Sequence, residues 1–372
     1  MKIAIVCYPT FGGSGVVATE LGIALSKRGH EIHFVTYKQP VRLEYLSQSI
    51  HYHEVLVPDY PLFHYQPYEL ALSSKLVRVV QKHDIDLLHV HYAIPHAYAG
   101  YMAQQMLKEE GINLPMMTTL HGTDITLVGS HSFYKPAVNF SINNSDVVTS
   151  VSQSLKLDTL KIFDIKKHIE VVPNFIDISN LNETFDDCKR HMVANEDEKV
   201  ITHVSNLREV KRLTVVVEIF YRIQSKVKSK LVIVGDGPDR EKASDLAKRL
   251  KIKDKILFLG KSNEVERILC YSDLFLLPSE KESFGLAALE AMAHHVPIIS
   301  TNVGGLPEVN IDGVSGYLSE VGDIEAMANN GISILSDENK LESFKKGARR
   351  IAEKFDVSQI VCQYENLYQK MI

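Results

Sequence analysis

The sequence lacks the features that mark several large classes of protein. Its cysteines are few and far apart, and they form no Cys-x-x-Cys motif: Cys7, Cys188, Cys270 and Cys362. They indicate neither a disulfide framework nor a zinc ribbon, which fits a reducing cytoplasm. The apolar run at residues 3–8 is too short for a signal-peptide core, and no window approaches the roughly 18 apolar residues that a membrane span needs. We therefore expect a cytoplasmic protein without stable insertion in a membrane.

The chain also lacks an excess of positive charge. It carries 41 Lys and Arg against 46 Asp and Glu, so its formal net charge is −5. A protein with this balance is not drawn to nucleic acid by its overall field, and we expect no nucleic-acid partner. Hydrophobic residues make up 45% and charged residues 23% of the chain, as in globular proteins. A length of 372 residues is too great for one ordinary core and indicates two domains.

Short β-branched runs alternate with helical patterns along the whole chain, which is typical of parallel sheets covered by helices on both faces. The first series of predicted strands covers residues 2–8, 31–37, 87–91, 115–120, 146–151 and 169–172. The second series covers residues 200–204, 230–234, 255–259, 274–277, 297–300 and 316–318. The fold class is therefore α/β, with two doubly wound, Rossmann-like domains at residues 1–172 and 173–352. A final helical segment, residues 353–372, is free to pack back on the N-terminal domain. Because open parallel sheets bind ligands at the carboxyl ends of their strands, we expect the domains to face each other across a cleft.

The first candidate motif, PTFGGSGVVATELG at residues 9–22, follows a predicted strand and opens a helix. Gly13, Gly15 and Ala18 match the G-x-G-x-x-A pattern of dinucleotide-binding proteins. Binding of a nicotinamide cofactor also needs an acidic residue at the end of the second strand, and that strand ends in Thr36-Tyr37-Lys38. What remains is either a tight turn or a glycine turn whose helix N–H groups face an anion.

Two histidine motifs follow. In HVHYAIPH, residues 89–96, His89 and His91 share one face of a strand, but no third ligand is placed by spacing, so no metal site is expected. In TTLHGTD, residues 118–124, His121 follows the carboxyl end of a strand. A neutral imidazole there can hydrogen-bond a sugar hydroxyl or move a proton, and the alternative is a histidine that packs within the loop.

Two motifs of the second half also stand at strand ends. SNLREVKRL, residues 205–213, clusters Arg208, Lys211 and Arg212 before a helix, which suits either a phosphate or a solvated surface. VGDGPDR, residues 234–240, places Gly235 and Gly237 in a turn that allows a ligand to come close. Taken alone, each motif is only an ordinary connection between a strand and a helix.

The stretch EKESFGLAALEAMA, residues 280–293, places Glu282 and Glu290 eight residues apart. Eight helical residues span about 12 Å, which is too far for both carboxylates to share one metal ion or one proton. The first N–H groups of a helix starting near residue 284 favour an anion between them. A sugar–diphosphate–nucleoside has polar groups in this order, whereas the alternative is a pair of surface carboxylates. An unpaired charge at Glu290 would be costly within so apolar a helix.

The block that continues as HHVPIISTNVGGLPEVNIDGVSGYL resembles the donor-binding signature of retaining GT-B glycosyltransferases of family 4, including its paired glutamates. SNLREVKRL, VGDGPDR, HGTD and GGSG occur in the order of that family, so the resemblance covers nearly the whole chain. The segments CYPTFGGSGVVATELGIALSKRGHEIHFVTY, TTLHGTDITLVG and VPNFID are similar to family members that use UDP-N-acetylglucosamine and L-malate in bacillithiol biosynthesis.

The resemblance implies a role for each matching residue. Glu282 is expected at the sugar hydroxyls, Glu290 at the ribose and Lys211 at the phosphate. Asn206 stands where the family usually has an arginine, so Arg208 is expected to replace it. With these, His121 near the sugar 6-hydroxyl completes the expected catalytic set. The remaining donor-binding residues are expected to be Gly13, Gly15, Asn206, Gly235, Lys261, Phe284, Gly285 and Leu286. The acceptor-binding residues are expected to be Ser14, Tyr92, Thr119 and Arg42.

The chemistry implied is transfer with retention of the anomeric configuration and without a metal or other cofactor. No residue is an evident nucleophile, which favours attack on the face that the diphosphate leaves. A lipid or phosphorylated polyol is a rival acceptor, and the resemblance also allows a homodimer. More distant alternatives are a nicotinamide-dependent dehydrogenase and a non-catalytic protein that only binds a nucleotide sugar.

Overall fold

The computed structural model describes residues 1–10, 12–43, 48–57, 66–182, 190–262 and 264–372. They form two compact units, of which the first joins Met1–Phe175 to Val357–Ile372 and the second is Ile176–Asp356. The boundaries differ by a few residues from the expected 172 and 352. Ile176 forms a parallel bridge with Asp356, and its N–H donates to Phe355 O at 3.1 Å. Residues 353–356 therefore belong with the second unit.

The first unit contains a sheet of seven parallel strands in the order β3-β2-β1-β4-β5-β6-β7. The strands are β1 Lys2–Val6, β2 Glu31–Thr36, β3 Ile50–Glu54, β4 Leu87–His91, β5 Met116–Leu120, β6 Val147–Ser150 and β7 Ile169–Val171. The α-helices between them are α1 Gly13–Lys27, α2 Tyr68–His83, α3 Tyr98–Glu109, α4 Lys135–Asn143 and α5 Gln153–Ile162.

The second unit contains six parallel strands in the order β10-β9-β8-β11-β12-β13. They are β8 Lys199–Val204, β9 Ser229–Val234, β10 Ile256–Gly260, β11 Leu274–Leu277, β12 Ile298–Thr301 and β13 Gly316–Ser319. Its α-helices are α6 Leu213–Gln224, α7 Arg240–Arg249, α8 Val265–Leu269, α9 Leu286–Ala293, α10 Leu306–Val309, α11 Ile324–Leu335 and α12 Glu338–Ala352. The last helix of the chain, α13 Val357–Gln369, belongs to the first unit.

Burial explains why the central strands are so easily recognised. All four residues of β11, LFLL, are buried, as are Ile3, Ala4, Ile5 and Val6 of β1. A strand covered by helices on both faces has no solvent side and therefore needs no polar alternation. The prediction of two Rossmann-like α/β halves is confirmed, and every predicted strand is present.

Strand β3 is the one element of the first sheet that sequence reasoning missed. It lies at the edge of the sheet and pairs only with β2. Its sequence, IHYHE, alternates histidine with Ile50 and Tyr52, and its middle residues are half-buried. The alternation was a usable signal for an edge strand, but the high histidine content concealed it.

Helix α13 packs within the first unit against α1 and the sheet. Tyr364 and Tyr368 are among the largest fully buried side chains. The ring of Tyr368 reaches the sheet, where its hydroxyl lies 2.8 Å from His89 Nδ1. Arg28 at the end of α1 pairs with Glu365 at 2.8 Å. The segment that follows the second unit therefore completes the core of the first.

The cysteines show one difference from the sequence expectation. Cys7 and Cys362 are free thiols, Cys270 is disulfide-bonded, and Cys188 lies outside the described residues. A single disulfide is a much weaker constraint than a framework, and a cytoplasmic location stays a prediction. None of the helices in the described ranges is long and apolar enough to cross a membrane.

Candidate active site

Lys211 and Glu282 form an ion pair beyond the carboxyl ends of two paired strands of the second unit, β8 and β11. Lys211 ends a short 3-10 turn after β8, and Glu282 lies in the loop between β11 and α9. The Lys211 Nζ is 2.5 Å from Glu282 Oε2, and the two side chains are 18% and 16% exposed. The N–H of Glu280 also donates to Val210 O at 2.8 Å, which ties the two loops together. The structure thus brings together two of the four residues expected to be catalytic.

Two glycines of the loop after β12 fix the backbone of Glu282. Gly304 has a φ of +55°, and a Cβ atom at this position would lie 1.8 Å from Glu282 O. The N–H of Gly305 donates to the same carbonyl oxygen at 3.0 Å. Only glycine permits a backbone approach this close. The glycine pair therefore holds the Glu282 loop in place.

Helix α9 begins at Leu286, two residues later than the start expected near residue 284. Gly285 caps the helix in the left-handed region with a φ of +103°. Phe284 is buried and packs edge-on against Phe355, with ring centroids 5.6 Å apart. Its side chain belongs to the core, so Phe284 can offer only its main chain to a ligand.

The later start of α9 changes the expected spacing of the two glutamates. Glu290 is half-buried in the second turn of α9, whereas Glu282 lies in the loop before it. The estimate of about 12 Å assumed a helical rise over all eight residues, and it fails because residues 282–285 are not helical. The two residues still stand on either side of the first N–H groups of α9.

The glycine turn after β9 packs on the loop after β8. Gly235 has a φ of +119°, and a Cβ atom there would lie 1.7 Å from Ser205 O. A Cβ atom at Gly237 would lie 2.2 Å from Asn206 O. The neighbouring backbone therefore accounts for both glycines, without any contribution from a ligand. This weakens the argument for Gly235 as a donor-binding residue, although it keeps the turn beside the site.

The remaining donor residues expected in the second unit lie at the same edge of the sheet. Asn206 and Arg208 are exposed in the loop after β8, and Arg208 O accepts the N–H of Lys211 at 2.8 Å. Lys261 is exposed and follows Gly260, whose carbonyl accepts the N–H of Gly235 at 2.7 Å. These side chains are therefore accessible, unlike Phe284.

His203 is a supporting residue that sequence reasoning missed. It is fully buried on β8, where its Nδ1 donates to Leu276 O at 2.8 Å and its Nε2 lies 2.8 Å from Ser205 Oγ. Ser205 Oγ in turn accepts the N–H of Leu207 at 3.2 Å. Burial lowers the pKa of His203 to about 4, so it is neutral near pH 7. A single histidine on a strand gives no signal in the sequence that distinguishes such a role.

In the first unit, the first turn of α1 meets the end of β4. The hydroxyls of Ser14 and Tyr92 are 2.7 Å apart. Tyr92 has a φ of +87°, and burial holds the pKa of its phenol well above its usual range. A Cβ atom at Gly15 would lie 2.4 Å from the carbonyl oxygens of both Tyr8 and Thr10. Ser14 and Tyr92, both expected on the acceptor side, are therefore neighbours.

Gly13 is exposed at the first position of α1, and Gly12 precedes it as the N-cap without a side-chain hydrogen bond. The N–H groups of Gly15 and Val16 both turn back to Gly12 O, at 3.0 and 3.2 Å. The first N–H groups of a helix have no partner within the helix. An anion beside Gly13 would satisfy them, which fits the expected position near a diphosphate.

His121 lies beside Tyr92, with ring centroids 5.2 Å apart. Burial lowers its pKa to about 3, so the imidazole is neutral. Its Nε2 is 2.8 Å from His91 Nδ1, and His91 Nε2 is buried with no hydrogen-bond partner among the described residues. Because an orphaned buried N–H is costly, we infer that His91 donates through Nδ1 and that His121 accepts through Nε2. His121 then carries its own proton on Nδ1, where it can donate to a ligand oxygen.

Asp124 organises the loops around His121, a role that sequence reasoning missed. Its carboxylate accepts backbone N–H groups from Ala93 and Gly122, both at 2.9 Å, and from His121 at 3.3 Å. It thereby joins the loop after β4 to the loop after β5. Burial raises the pKa of Asp124 to about 6 despite these bonds. An aspartate three residues after a histidine at a strand end was the available signal, because such residues commonly cap loop backbone.

Thr119 does not fit its expected role as an acceptor-binding residue. It is fully buried within β5, and its hydroxyl lies 2.7 Å from both His89 Nε2 and Thr149 Oγ1. These contacts are part of an internal polar chain that continues through His89 to Tyr368. The hydroxyl is therefore already used inside the sheet, which argues against its direct contact with an acceptor, and the assignment stays a prediction.

Arg42 is accessible, but a carboxylate already lies beside it. Its side chain is 38% exposed, and Nη1 is 3.4 Å from Oε1 of Glu20 on α1.

Tyr8 lies near the loop after β4 and was not anticipated from the sequence. Its ring centroid is 5.2 Å from that of Tyr92 and 4.5 Å from that of His96. Burial raises the pKa of Tyr8 to about 12, so it remains a hydroxyl donor at neutral pH.

Two family models match the chain in succession. Residues 11–180 match Glycosyltransferase Family 4, and residues 185–351 match Glycosyl transferases group 1. N-acetyl-alpha-D-glucosaminyl L-malate synthase of Bacillus anthracis is 47% identical over 374 aligned positions, which cover 100% of this chain and 97% of that relative. The chain therefore belongs to the family 4 glycosyltransferases, and the resemblance read from its motifs is confirmed.

Solved structures agree on the fold. Sucrose-phosphate synthase from Thermosynechococcus elongatus superposes with a TM-score of 0.83 at 19% identity, covering 100% of this chain and 98% of that one. Anabaena HepE, crystallised in complex with UDP-glucose, superposes with a TM-score of 0.83 at 22% identity over 100% of both chains. The fold is the GT-B fold of glycosyltransferases, and this protein is a glycosyltransferase.

Proposed function

We propose that this glycosyltransferase moves N-acetylglucosamine from UDP-N-acetylglucosamine to the hydroxyl of L-malate, with retention of the anomeric configuration. The main support is the synthase relative, which matches the whole chain at 47% identity. The nucleotide part of the donor is supported by the fold shared with HepE, which was crystallised with UDP-glucose. The proposal gives the chain the first step of bacillithiol biosynthesis.

On the donor side, the proposal assigns the binding of the charged diphosphate to the second unit. The diphosphate would take Lys211 as its counterion and gain N–H donors from Gly285 and Leu286 at the start of α9. Glu282, held 2.5 Å from Lys211, would then accept hydrogen bonds from the sugar hydroxyls. Glu290 would hold the ribose. Preorganised charge of this kind stabilises the UDP as it leaves, because it is aimed at the oxygens on which negative charge develops.

On the acceptor side, the proposal uses neutral groups of the first unit. Ser14 and Tyr92, 2.7 Å apart, would bind the malate hydroxyl and one carboxylate. His121 would donate through Nδ1 to the sugar. Arg42 would supply a positive charge for the second carboxylate, exchanging its present contact with Glu20. The departing phosphate, rather than a protein base, would take the hydroxyl proton, so neither a metal ion nor another cofactor is required.

The decisive experiment measures UDP release from UDP-N-acetylglucosamine by the purified full-length chain with different acceptors. L-malate is compared with inositol phosphate and with vesicles that contain phosphatidylinositol. We expect release with L-malate alone, together with a product whose mass is that of malate plus one N-acetylhexosamine. Proton coupling at the anomeric carbon of that product reports retention.

Other results would point to other functions. Release only with inositol phosphate or vesicles would replace malate by a polyol or lipid acceptor. Binding of UDP-N-acetylglucosamine without release on any acceptor would indicate a nucleotide-sugar sensor. Analytical ultracentrifugation of the same sample tests the homodimer, and transfer by metal-stripped protein at an unchanged rate tests the metal-free chemistry.

A further inference from the structure

Five side chains with metal-binding groups gather at one edge of the sheet in the first unit. Alternate residues of a strand share a face, so Glu31 and His33 of β2 lie together, as do His51 and His53 of β3. The two strands are parallel, and His33 stands opposite His51. His83 is the last residue of α2, and its ring centroid is 4.7 Å from that of His33. None of these residues belongs to the candidate active site.

Three of the histidines already have nearly the geometry of a metal site. One ring nitrogen from each of His33, His53 and His83 lies within 4.8 Å of the other two. His33 Nδ1 and His53 Nε2 are 2.9 Å apart. Nitrogens bound tetrahedrally to one zinc ion at about 2.0–2.1 Å are separated by about 3.3–3.4 Å. An ion would therefore need His33 and His53 to separate by a few tenths of an ångström, and the His83 nitrogen, which lies within 4.8 Å of both, to close to the same spacing.

Glu31 provides the outer hydrogen bond that metal-binding histidines commonly have. Its Oε1 is 3.0 Å from His33 Nε2 and 3.2 Å from His51 Nε2. An ionised carboxylate only accepts, so His33 carries its proton on Nε2 and turns the lone pair of Nδ1 toward His53. Without an ion, His53 therefore donates through Nε2. When an ion displaces that proton, His53 carries it on Nδ1 instead, so the ring stays neutral and no proton is released.

We propose that His33, His53 and His83 bind one late first-row transition-metal ion of the Zn²⁺ type, with Glu31 orienting His33 from behind. Imidazole suits Zn²⁺, Cu²⁺ and Ni²⁺, whereas Mg²⁺ and Ca²⁺ prefer oxygen ligands. Three protein nitrogens leave a fourth position for water. In this arrangement, the carboxylate hydrogen-bonds the histidine that binds the ion, and this bond fixes the tautomer of the histidine.

The local electrostatics select for neutral ligands. Lys2 donates to His83 O at 2.8 Å, and the charges of Lys75 and Lys82 help to lower the pKa of His53 and of His83. These lysines oppose any cation, so only an ion with strong affinity for imidazole nitrogen can bind here.

The site lies at the β3 edge of the sheet, whereas Ser14, Tyr92 and His121 follow strands β1, β4 and β5. Lys2, the first residue of β1, donates to His83 O, and its own carbonyl accepts the N–H of Asp86 just before β4. His83 is therefore near the amino ends of the strands, as is Glu31 at the start of β2, whereas Ser14 and Tyr92 follow the carboxyl ends of β1 and β4. A bound ion would fasten the edge strand β3 to α2 and stabilise the first unit without taking part in transfer.

The test is equilibrium dialysis of the full-length, chelator-stripped chain against Zn²⁺, with metal and protein quantified in the same samples. We expect one ion per chain. His53→Gln and His83→Gln should each abolish it, and Glu31→Gln should weaken binding about 10–100-fold. His168→Gln is the matched control, because this exposed histidine precedes β7 at the other edge of the sheet. Zn²⁺ should also raise the melting temperature of the wild-type chain and the control, but not that of His53→Gln.

The variants avoid His33, whose burial makes misfolding the expected outcome of its replacement. Far-UV circular dichroism and UDP release of the metal-free variants establish that the fold is intact. Binding of Co²⁺ provides a second readout, since its visible absorption reports nitrogen ligands and tetrahedral geometry. Failure of wild-type protein to retain Zn²⁺ would overturn the proposal. So would equal retention by His53→Gln, His83→Gln and the control, because the ion would then lie among the other histidines.

Discussion

At the scale of single residues, the candidate residues of each unit use different physical means. Lys211 and Glu282 of the second unit are a charged pair with partial access to solvent. The first unit instead keeps its polar groups neutral by burial, as the low pKa of His121 and the high pKa of Tyr92 show. The first arrangement can offset charge on a leaving group, and the second can orient an acceptor by hydrogen bonds without adding charge.

Lys211→Ala tests the charged arrangement. Removing one preorganised donor to a developing negative charge costs about 10²–10³ in kcat, and we expect a loss of that size. Steady-state UDP release measures it, while circular dichroism checks the fold. Lys228→Ala is the control, because Lys228 pairs with Asp197 on the surface of the same unit and its side chain is 75% exposed. Activity of Lys211→Ala close to that of the control would contradict the assigned role.

His96→Asn tests how much stability the folded chain loses at acidic pH because it keeps a buried histidine neutral. Burial lowers the pKa of His96 to about 4, from 6.5 in its unperturbed state. The unfolded chain therefore binds more protons between these values, and stability falls as the pH drops through that window. Lowering the pH from 7 to 5 should remove about 2 kcal/mol through this residue alone. Asparagine can keep the donor that His96 Nδ1 directs to His91 O at 2.6 Å.

The measurement is urea unfolding of wild-type and His96→Asn protein at pH 7 and pH 5, followed by circular dichroism. We expect a smaller loss between the two values for the variant, whatever its stability at pH 7. Asp124 acts in the opposite direction, because its raised pKa makes the folded state hold a proton more tightly than the unfolded state. Since Asp124 is present in both proteins, it cancels in the comparison. Equal pH dependence in both would show that His96 does not set the acid sensitivity.

At the scale of loops and helices, glycines of the second unit allow neighbouring loops to pack closely, backbone against backbone. The loop that contains Gly304 and Gly305 packs on the loop that contains Glu282. The turn that contains Gly235 and Gly237 packs on the loop that contains Ser205 and Asn206. Each approach is between backbones, so neither needs a ligand to explain it. The carboxyl edge of the sheet is thereby prepared before any donor binds, which is the condition for preorganised stabilisation.

Gly304→Ala tests this support. The added Cβ atom would meet Glu282 O at 1.8 Å, so one of the two loops has to move. Gly313→Ala is the control, because Gly313 also has a positive φ, +72°, but nothing lies within 4 Å of its Cβ position. Urea unfolding should show Gly304→Ala to be less stable than the control by about 1–3 kcal/mol, and the KM for the donor should rise. If both variants lose the same stability, backbone strain at the positive φ explains the whole loss, and the contact with Glu282 O contributes nothing.

Sequence patterns predicted elements best where burial left a uniform signal. The buried strands β1 and β11 were read correctly, because an apolar run between turn residues has few alternative structures. Strand β3 was missed because polar residues interrupt it, and two of them, His51 and His53, belong to the histidine cluster. Thr119 was assigned to the acceptor side from the family resemblance, but only the fold shows that its hydroxyl is bonded inside the sheet. Glu282 and Lys211 were predicted individually, and their pairing is a tertiary contact between residues 71 positions apart.

At the scale of the whole molecule, the chain enters the second unit after Phe175 and returns to the first at Val357. The first unit therefore needs both ends of the chain. Helix α13 supplies two fully buried tyrosines and the hydroxyl that meets His89 Nδ1 at 2.8 Å. The second unit is continuous in sequence and needs neither terminus. We therefore expect the first unit, and not the second, to depend on the last 16 residues for its stability.

A chain that ends at Asp356 tests this asymmetry. Without α13, the apolar face that it covers becomes exposed and His89 loses its buried partner, so we expect the first unit to lose most of its protection. The second unit should keep its own. Hydrogen exchange resolved by peptide mass spectrometry separates the two, since strands β1–β7 and β8–β13 give distinct peptides. Tyr368→Phe is the milder variant: it removes only the hydroxyl and should cost the first unit about 1–3 kcal/mol. Cys362→Ser on the same helix is its control, because serine preserves the contact with Ser358 O. Unchanged protection of β1–β7 in the shortened chain would mean that the first unit folds without α13, and the buried tyrosines would then be only peripheral to its stability.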